Sequence, residues 1–349
     1  MTPSGHFPRR LLSVKHLFPM KRPLLSALAV AAVLASGAAA LLFTAAAPGG
    51  PAAPASPHWA ARVAKSPRHL EWVTLEHDGR KVGAYVGYPE VKDKATTVLV
   101  IHEIFGHSDW VKALVDDLAA AGYIAIAPDL LWGTGAKGGG TSELTSQEIS
   151  QKINQLPADQ KTADLAAAVD YITKQPGSNG KVVVAGFCWG GSETFRFATN
   201  SKAIKAGLVF YGSAPTGANA AEALGRITAP VYGFYAGNDA RINGGIPATT
   251  EAMKAAGKFY EPVTYAGAGH GFMRAGDDLP PADTATDAQK TAYAANKKAR
   301  EDGWKRWMDI MKAVTADKLP PVVSVSNQPM PAPAKPATPA AAPSVPAAK

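Results

Sequence analysis

Lys181-Val-Val-Val-Ala-Gly-Phe-Cys188-Trp-Gly-Gly191-Ser-Glu-Thr-Phe195 is the stretch on which the fold turns. Val182, Val183 and Val184 follow one another without polar alternation, as expected of a strand covered on both faces in a parallel sheet. The strand gives way to Gly186-Phe187-Cys188-Trp189-Gly190-Gly191, and Ser192–Phe195 then start a helix. A G-x-C-x-G run between strand and helix puts Cys188 on a sharp, strained turn. Glycine is needed two positions to either side because a side chain there would strike the neighbouring strand and helix. Such a turn holds the sulfur at the carboxyl edge of the sheet, facing the amino end of the next helix, whose dipole favours a thiolate. A lone cysteine is more often a small buried hydrophobe, so the motif by itself leaves reactivity open.

Outward from this stretch, the chain between about Pro67 and Lys318 alternates short apolar runs with longer helical ones, the pattern of a mostly parallel sheet wrapped by helices on both faces. Leu70–His77 and Lys81–Tyr88 flank Asp78-Gly79-Arg80 and predict an antiparallel hairpin ahead of the parallel part. Thr97–His102 and Tyr123–Ala127 are strands with a helix between them that presents Trp110, Leu114 and Leu118 on one face. A helix over Asp164–Thr173 then leads, past the break at Pro176–Gly180, to the Lys181–Ala185 strand. Further strands are expected at Ala206–Tyr211, Val231–Ala236 and Pro262–Tyr265. A last helix over about Ala288–Val314 turns Trp304, Trp307, Met308 and Met311 inward.

Two of the later strands end in residues that complement a nucleophile. Val231–Ala236 is followed by Gly237-Asn238-Asp239, and Pro262–Tyr265 by Gly267-Ala268-Gly269-His270-Gly271-Phe272. Nucleophile, acid, base is the chain order of α/β-hydrolases, and both residues fall where loops leave the carboxyl ends of strands. Asp239 alone could be a turn former and His270 alone a surface residue. In this order they make a triad in which His270 takes and returns the proton of Cys188 while Asp239 fixes the imidazole tautomer. The loop after the first parallel strand, His102-Glu103-Ile104-Phe105-Gly106-His107, supplies the second backbone donor of an oxyanion hole. The two donors are therefore the amides of Ile104 and Trp189. The same loop invites a zinc reading, but H-E-x-x-H requires histidine where Gly106 stands, and no metal is expected.

These residues resemble the dienelactone hydrolases, or carboxymethylenebutenolidases. The resemblance rests on Glu103–Gly106, Gly122–Leu130, Ser178–Gly191, Tyr211-Gly212, Gly237–Asp239 and Gly269–Arg274, in register over roughly residues 68–315. It implies a single α/β-hydrolase domain that cleaves a lactone or small ester through a cysteine acyl-enzyme, without cofactor. It further implies that Glu103 interacts with the resting Cys188 and assists its ionisation, and that Arg274 holds a substrate carboxylate. One position departs from the pattern. The family run P-D-L-x-x-R ends in a carboxylate-binding arginine, whereas Gly133 follows Pro128-Asp129-Leu130-Leu131-Trp132 here. Glycine cannot replace a bidentate clamp, so the substrate is left open, and Trp132 and Phe105 are expected to give a more apolar pocket.

Composition sets the remaining bounds. The formal charge of +8 sits in the ends: residues 1–66 carry seven Lys or Arg and residues 319–349 carry two, neither with an acid, which leaves 27 basic against 28 acidic residues between them. A basic surplus confined to the tails gives no nucleic-acid groove. Cys188 is the one cysteine, which excludes an intramolecular disulfide and a cysteine-based zinc site. Residues 1–47 read as an export signal, with Arg9, Arg10, Lys15, Lys21 and Arg22 ahead of an apolar Leu24–Ala47, or as an uncleaved N-terminal anchor. Met20 is an alternative start. Residues 48–66 and 319–349 read as Pro/Ala-rich linker and tail around a domain at 67–318. The expectation is an exported monomer, periplasmic or secreted, with a small ester or lactone as partner. The alternatives are a non-catalytic binding protein on the same scaffold, and a thioesterase or peptidase-like use of the triad.

Overall fold

The computed structural model describes residues 57–319. Its sheet has eight strands, β1 (His69–His77), β2 (Arg80–Tyr88), β3 (Ala95–Ile101), β4 (Ile124–Pro128), β5 (Ser178–Phe187), β6 (Ala206–Phe210), β7 (Val231–Ala236) and β8 (Tyr260–Tyr265), in the order β1-β2-β4-β3-β5-β6-β7-β8. The pairs β1–β2 and β2–β4 are antiparallel, and every pair from β4 through β8 is parallel. The hairpin turns at Asp78 and Gly79, both with positive φ (47° and 75°). That geometry matches the right-handed twist of the two strands and suits an Asp-Gly pair.

Among the described residues ten α-helices connect or flank the strands: α1 (Pro57–Ala64), α2 (Asp109–Ala120), α3 (Ser146–Gln155), α4 (Ala158–Thr173), α5 (Trp189–Asn200), α6 (Ala220–Gly225), α7 (Ala240–Asn243), α8 (Ile246–Ala255), α9 (Phe272–Ala275) and α10 (Asp287–Thr315). The unbroken apolar strands serve two cores at once. In β5, Val183, Ala185 and Phe187 face one core with Trp110, Leu114 and Leu118 of α2 and Trp307 and Met311 of α10. Val182 and Val184 face the other, with Leu165 and Ile172 of α4 and Phe195 of α5. Side chains that alternate between two covered faces explain why the sequence shows no polar alternation. Within α10, Trp307 and Met311 are fully buried as expected, whereas Trp304 and Met308 are only partly buried at the edge of that core.

Three features differ from the sequence reading. The expected linker over 48–66 includes α1, whose Trp59 is 2% exposed and donates its indole N–H to Asp277 at 3.1 Å. Arg62 bridges Asp117 and Asp277, so a segment with linker-like composition is tied down by residues distant in the chain. The strand leading to Cys188 starts at Ser178 rather than Lys181, with a register irregularity between Ala95 and Thr97 on its partner. Helix α3 was not expected; it opens on a capping box between Thr145 and Glu148. The export segment 1–47, residues 48–56 and residues 320–349 of the tail lie outside the described residues. Among the described residues no helix is long and apolar enough to cross a membrane.

Candidate active site

The turn after β5 has the strain that its glycines suggest. Cys188 has φ 57° and ψ −114°, and its N–H donates to the Phe210 carbonyl of β6 at 3.0 Å. A Cβ on Gly186 would lie 2.0 Å from the Gly190 carbonyl oxygen, and one on Gly190 would lie 2.3 Å from that of Ile101 and 2.4 Å from that of His102. Neither position admits a side chain. A left-handed conformation at a non-glycine residue persists only where its surroundings enforce it, as backbone contacts to β3 and β6 do here.

Two further loops converge on this turn. Asp239 caps α7 by accepting from the Ile242 N–H at 3.3 Å, and its other oxygen meets His270 Nδ1 at 2.5 Å. Asp239 is buried and the imidazole is open to solvent. The two loops are laced together, with the Asn238 N–H donating to the Ala268 carbonyl at 2.9 Å and its side-chain amide to the Gly267 carbonyl at 2.9 Å, while the Gly269 N–H donates to Asn296 Oδ1 of α10 at 2.8 Å. Tyr211, after β6, stands edge-on to the His270 ring at 5.0 Å and points its hydroxyl at Glu103 Oε1, 3.5 Å away.

Glu103 is 3% exposed and receives Arg274 Nε at 2.7 Å, with the Arg274 guanidinium lying over the Phe105 ring at 5.2 Å. Glu103, Phe105 and Arg274 therefore meet beside the sulfur. In this state Arg274 is engaged by a protein carboxylate rather than standing free. The loop that carries Glu103 is pinned from behind. The buried Asp129 accepts from the Thr141 N–H at 2.7 Å and from its hydroxyl at 2.8 Å, and Thr141 Oγ1 in turn accepts the His107 N–H at 2.9 Å. His102 stacks on Trp189 with ring centroids 5.5 Å apart.

The electrostatics of Cys188 run against the expectation from the helix end. Burial pushes its thiol up, and the Glu103 charge adds to this, so that it titrates at about 11. The N–H groups of Trp189 and Ile104 and the charge of Arg241 act in the opposite direction without overcoming it. The resting sulfur is therefore a neutral thiol; a helix terminus favours the anion, but removal from water outweighs it. That Ile104 and Trp189 act on the sulfur is what two oxyanion donors beside it would do.

Trp132 lies in another neighbourhood. Its ring covers Gly83, where a Cβ would lie 2.4 Å from it, and neighbours Trp72 at 5.6 Å, which itself lies 4.8 Å from the ring of His107. Gly133 has φ +83°, a conformation unfavourable for the arginine found there in the family pattern. Among the described residues no group of three or more His, Cys, Asp or Glu side chains is placed to hold a metal ion.

An elbow at the end of a central strand, with its acid and base on the loops after β7 and β8, places the chain among the α/β-hydrolases. Residues 82–315, from the middle of the hairpin to the end of α10, match the model of the dienelactone hydrolase family, and the chain belongs to that family. A Methylorubrum extorquens protein assigned as a carboxymethylenebutenolidase is 35% identical over 243 residues, which are 65% of this chain and 75% of the relative. A protein of Escherichia coli K12 with the same assignment is 27% identical over 271 residues, covering 74% and 94%. Among solved structures, a Klebsiella pneumoniae protein assigned as a dienelactone hydrolase is similar with a TM-score of 0.58 and 25% identity, over 70% of this chain and 98% of that one. The chain is accordingly a hydrolase of the dienelactone hydrolase type.

Two residues of this neighbourhood escaped the sequence reading as individuals. Tyr211 was visible only as half of a Tyr-Gly pair. Arg241, two positions beyond Asp239, carried no motif at all.

Proposed function

We propose that this hydrolase cleaves small esters or lactones through an acyl-enzyme on Cys188. The observation that carries the reading is the Asp239–His270 pair, set on loops that converge on a strained cysteine whose sulfur is acted on by two backbone amides. With Nδ1 held by Asp239, Nε2 of His270 is free to accept the thiol proton. The thiolate then attacks the ester carbonyl carbon, forming a C–S bond, and the oxygen becomes an oxyanion facing the Ile104 and Trp189 amides. Collapse breaks the C–O bond, and His270 returns its proton to the departing alcohol, which stays tethered when the substrate is a lactone. Water deprotonated by His270 attacks the thioester, the C–S bond breaks, and the acid leaves as Cys188 regains its proton.

Glu103 fits this scheme as the group that keeps the thiol neutral in the free enzyme. Its negative charge opposes the thiolate, and its pairing with Arg274 holds it in place until a substrate competes for that arginine. Phe105 lines the same corner, whereas Trp132 packs on Gly83 and Trp72. The N-terminal order of basic and apolar residues supports export, to be tested by amino-terminal sequencing of the mature protein. The mechanism is tested by measuring a panel of esters and lactones against wild type and Cys188→Ala. Loss of all turnover in the variant is expected, and full hydrolysis without the sulfur refutes the reading.

A further inference from the structure

A cavity of about 420 Å³ lies at the carboxyl ends of β6 and β7, bounded by the Gly212–Thr216 loop, α7 and α8. Its volume lies in the range of small-molecule sites. Its near wall is continuous with the nucleophile's own helix. A Cβ on Gly212 would lie 2.4 Å from the Ser192 nitrogen, and the Ser213 N–H donates to Ser192 Oγ at 2.9 Å, on the first turn of α5 beyond Cys188. The floor is closed by Tyr235 and Tyr260, whose hydroxyls hydrogen-bond to each other at 2.6 Å and so ask nothing of a ligand.

Among the described residues that line this cavity, Arg241 carries the only charge. Among the described residues, too, no carboxylate pairs with it: its guanidinium enters neither a hydrogen bond nor an ion pair, while Arg274, Arg62, Arg68 and Arg80 are all engaged. The nearest acid in sequence, Asp239, spends its oxygens on His270 and the Ile242 N–H. Arg241 nevertheless lies close enough to the reacting sulfur for its charge to favour the thiolate. The family's carboxylate-binding position after β4 is meanwhile Gly133, exposed and in a left-handed conformation.

We infer that Arg241 is a second anion-binding, specificity-determining residue beside Arg274, and that it holds the carboxylate of an anionic ester or lactone in the cavity between the Gly212–Thr216 loop and α8. The inference rests on the ester-hydrolase reading above. An unpaired guanidinium at the edge of a mostly apolar cavity offers a carboxylate two parallel N–H bonds, while the apolar wall accepts the intervening carbons. This clamp follows β7, whereas the arginine of the family pattern follows β4.

The test compares kcat/KM for matched anionic and neutral esters in wild type, Arg241→Gln and Arg241→Lys. One pair carries the charge on the acyl side (para-nitrophenyl hydrogen glutarate against para-nitrophenyl pentanoate). The other carries it on the alcohol side (para-carboxyphenyl acetate against para-methylphenyl acetate). In at least one pair the anionic-to-neutral ratio is expected to fall about tenfold to a hundredfold in Arg241→Gln, mainly through KM, with Arg241→Lys in between. Turnover of the neutral ester reports whether the variant is folded. If the ratios are unchanged in both pairs while neutral esters are still cleaved, the assignment of Arg241 is overturned and the ester-hydrolase reading stands. If wild type cleaves none of the four, the reading fails and the inference falls with it.

Discussion

Arg274 and Arg241 flank the same sulfur and differ in what holds them. Arg274 is mostly buried, donates to a carboxylate that is itself 3% exposed, and lies over an aromatic ring. Arg241 is exposed, borders a cavity and has no carboxylate partner among the described residues. A cation committed to a buried anion is part of the fold first and meets substrate only by exchange. A solvated cation contributes little to stability and can meet substrate directly. On the proposed mechanism, the Glu103 side of Cys188 holds the charge that opposes its ionisation, and the Arg241 side is suited to choosing what reaches it.

Breaking the committed pair is expected to have the largest effect. Arg274→Gln leaves Glu103 buried without its cation and should lower unfolding free energy by about 3–5 kcal/mol in urea denaturation, because an uncompensated buried charge remains. The double variant Glu103→Gln/Arg274→Gln should recover much of that loss, since both charges are gone. Equal instability of the single and double variants would show that packing, rather than charge, holds this corner.

A smaller effect is expected on the sulfur. In Glu103→Gln a negative charge beside Cys188 disappears, the thiol becomes easier to ionise, and alkylation of the free enzyme by iodoacetamide at neutral pH should speed up about three- to tenfold while ester turnover falls. In the unaltered enzyme the alkylation rate should keep climbing with pH toward about 11, because the proton is lost only as pH approaches the raised value. A plateau near neutral pH would mean that the resting residue is already a thiolate. The smallest effect is at the solvated arginine. Arg241→Gln should change unfolding free energy by no more than about 0.5 kcal/mol, so any change in its ester selectivity cannot be put down to unfolding.

The contrast also marks how far the sequence could be read. Val182–Val184, the Asp78-Gly79 turn and the glycines around Cys188 were legible because each is a local requirement: two covered faces, two left-handed residues, no room for a Cβ. Asp239 and His270 were legible from their place after strands. Helix α1 was not, because its alanine-rich sequence resembles a spacer and its order comes from Asp117 and Asp277, far along the chain. The neutral state of Cys188 was hidden for a related reason. The helix end that favours a thiolate is local, but the burial and the Glu103 charge that oppose it exist only once β3 and β5 lie side by side. Arg241 was invisible because what distinguishes it is a missing partner and a neighbouring cavity, neither of which a linear pattern contains.

The central claim, that Cys188 carries the acyl group, is tested most directly by intact-mass spectrometry of enzyme quenched during turnover of an activated ester. Wild type should gain the mass of one acyl group, localised by peptide mapping to the segment containing Cys188. His270→Ala should form the adduct slowly and, once formed, retain it longer, and Cys188→Ala should gain nothing. An acyl adduct of equal yield on the Cys188→Ala protein, or full wild-type turnover with no adduct under conditions that trap a slow deacylation, would contradict the account.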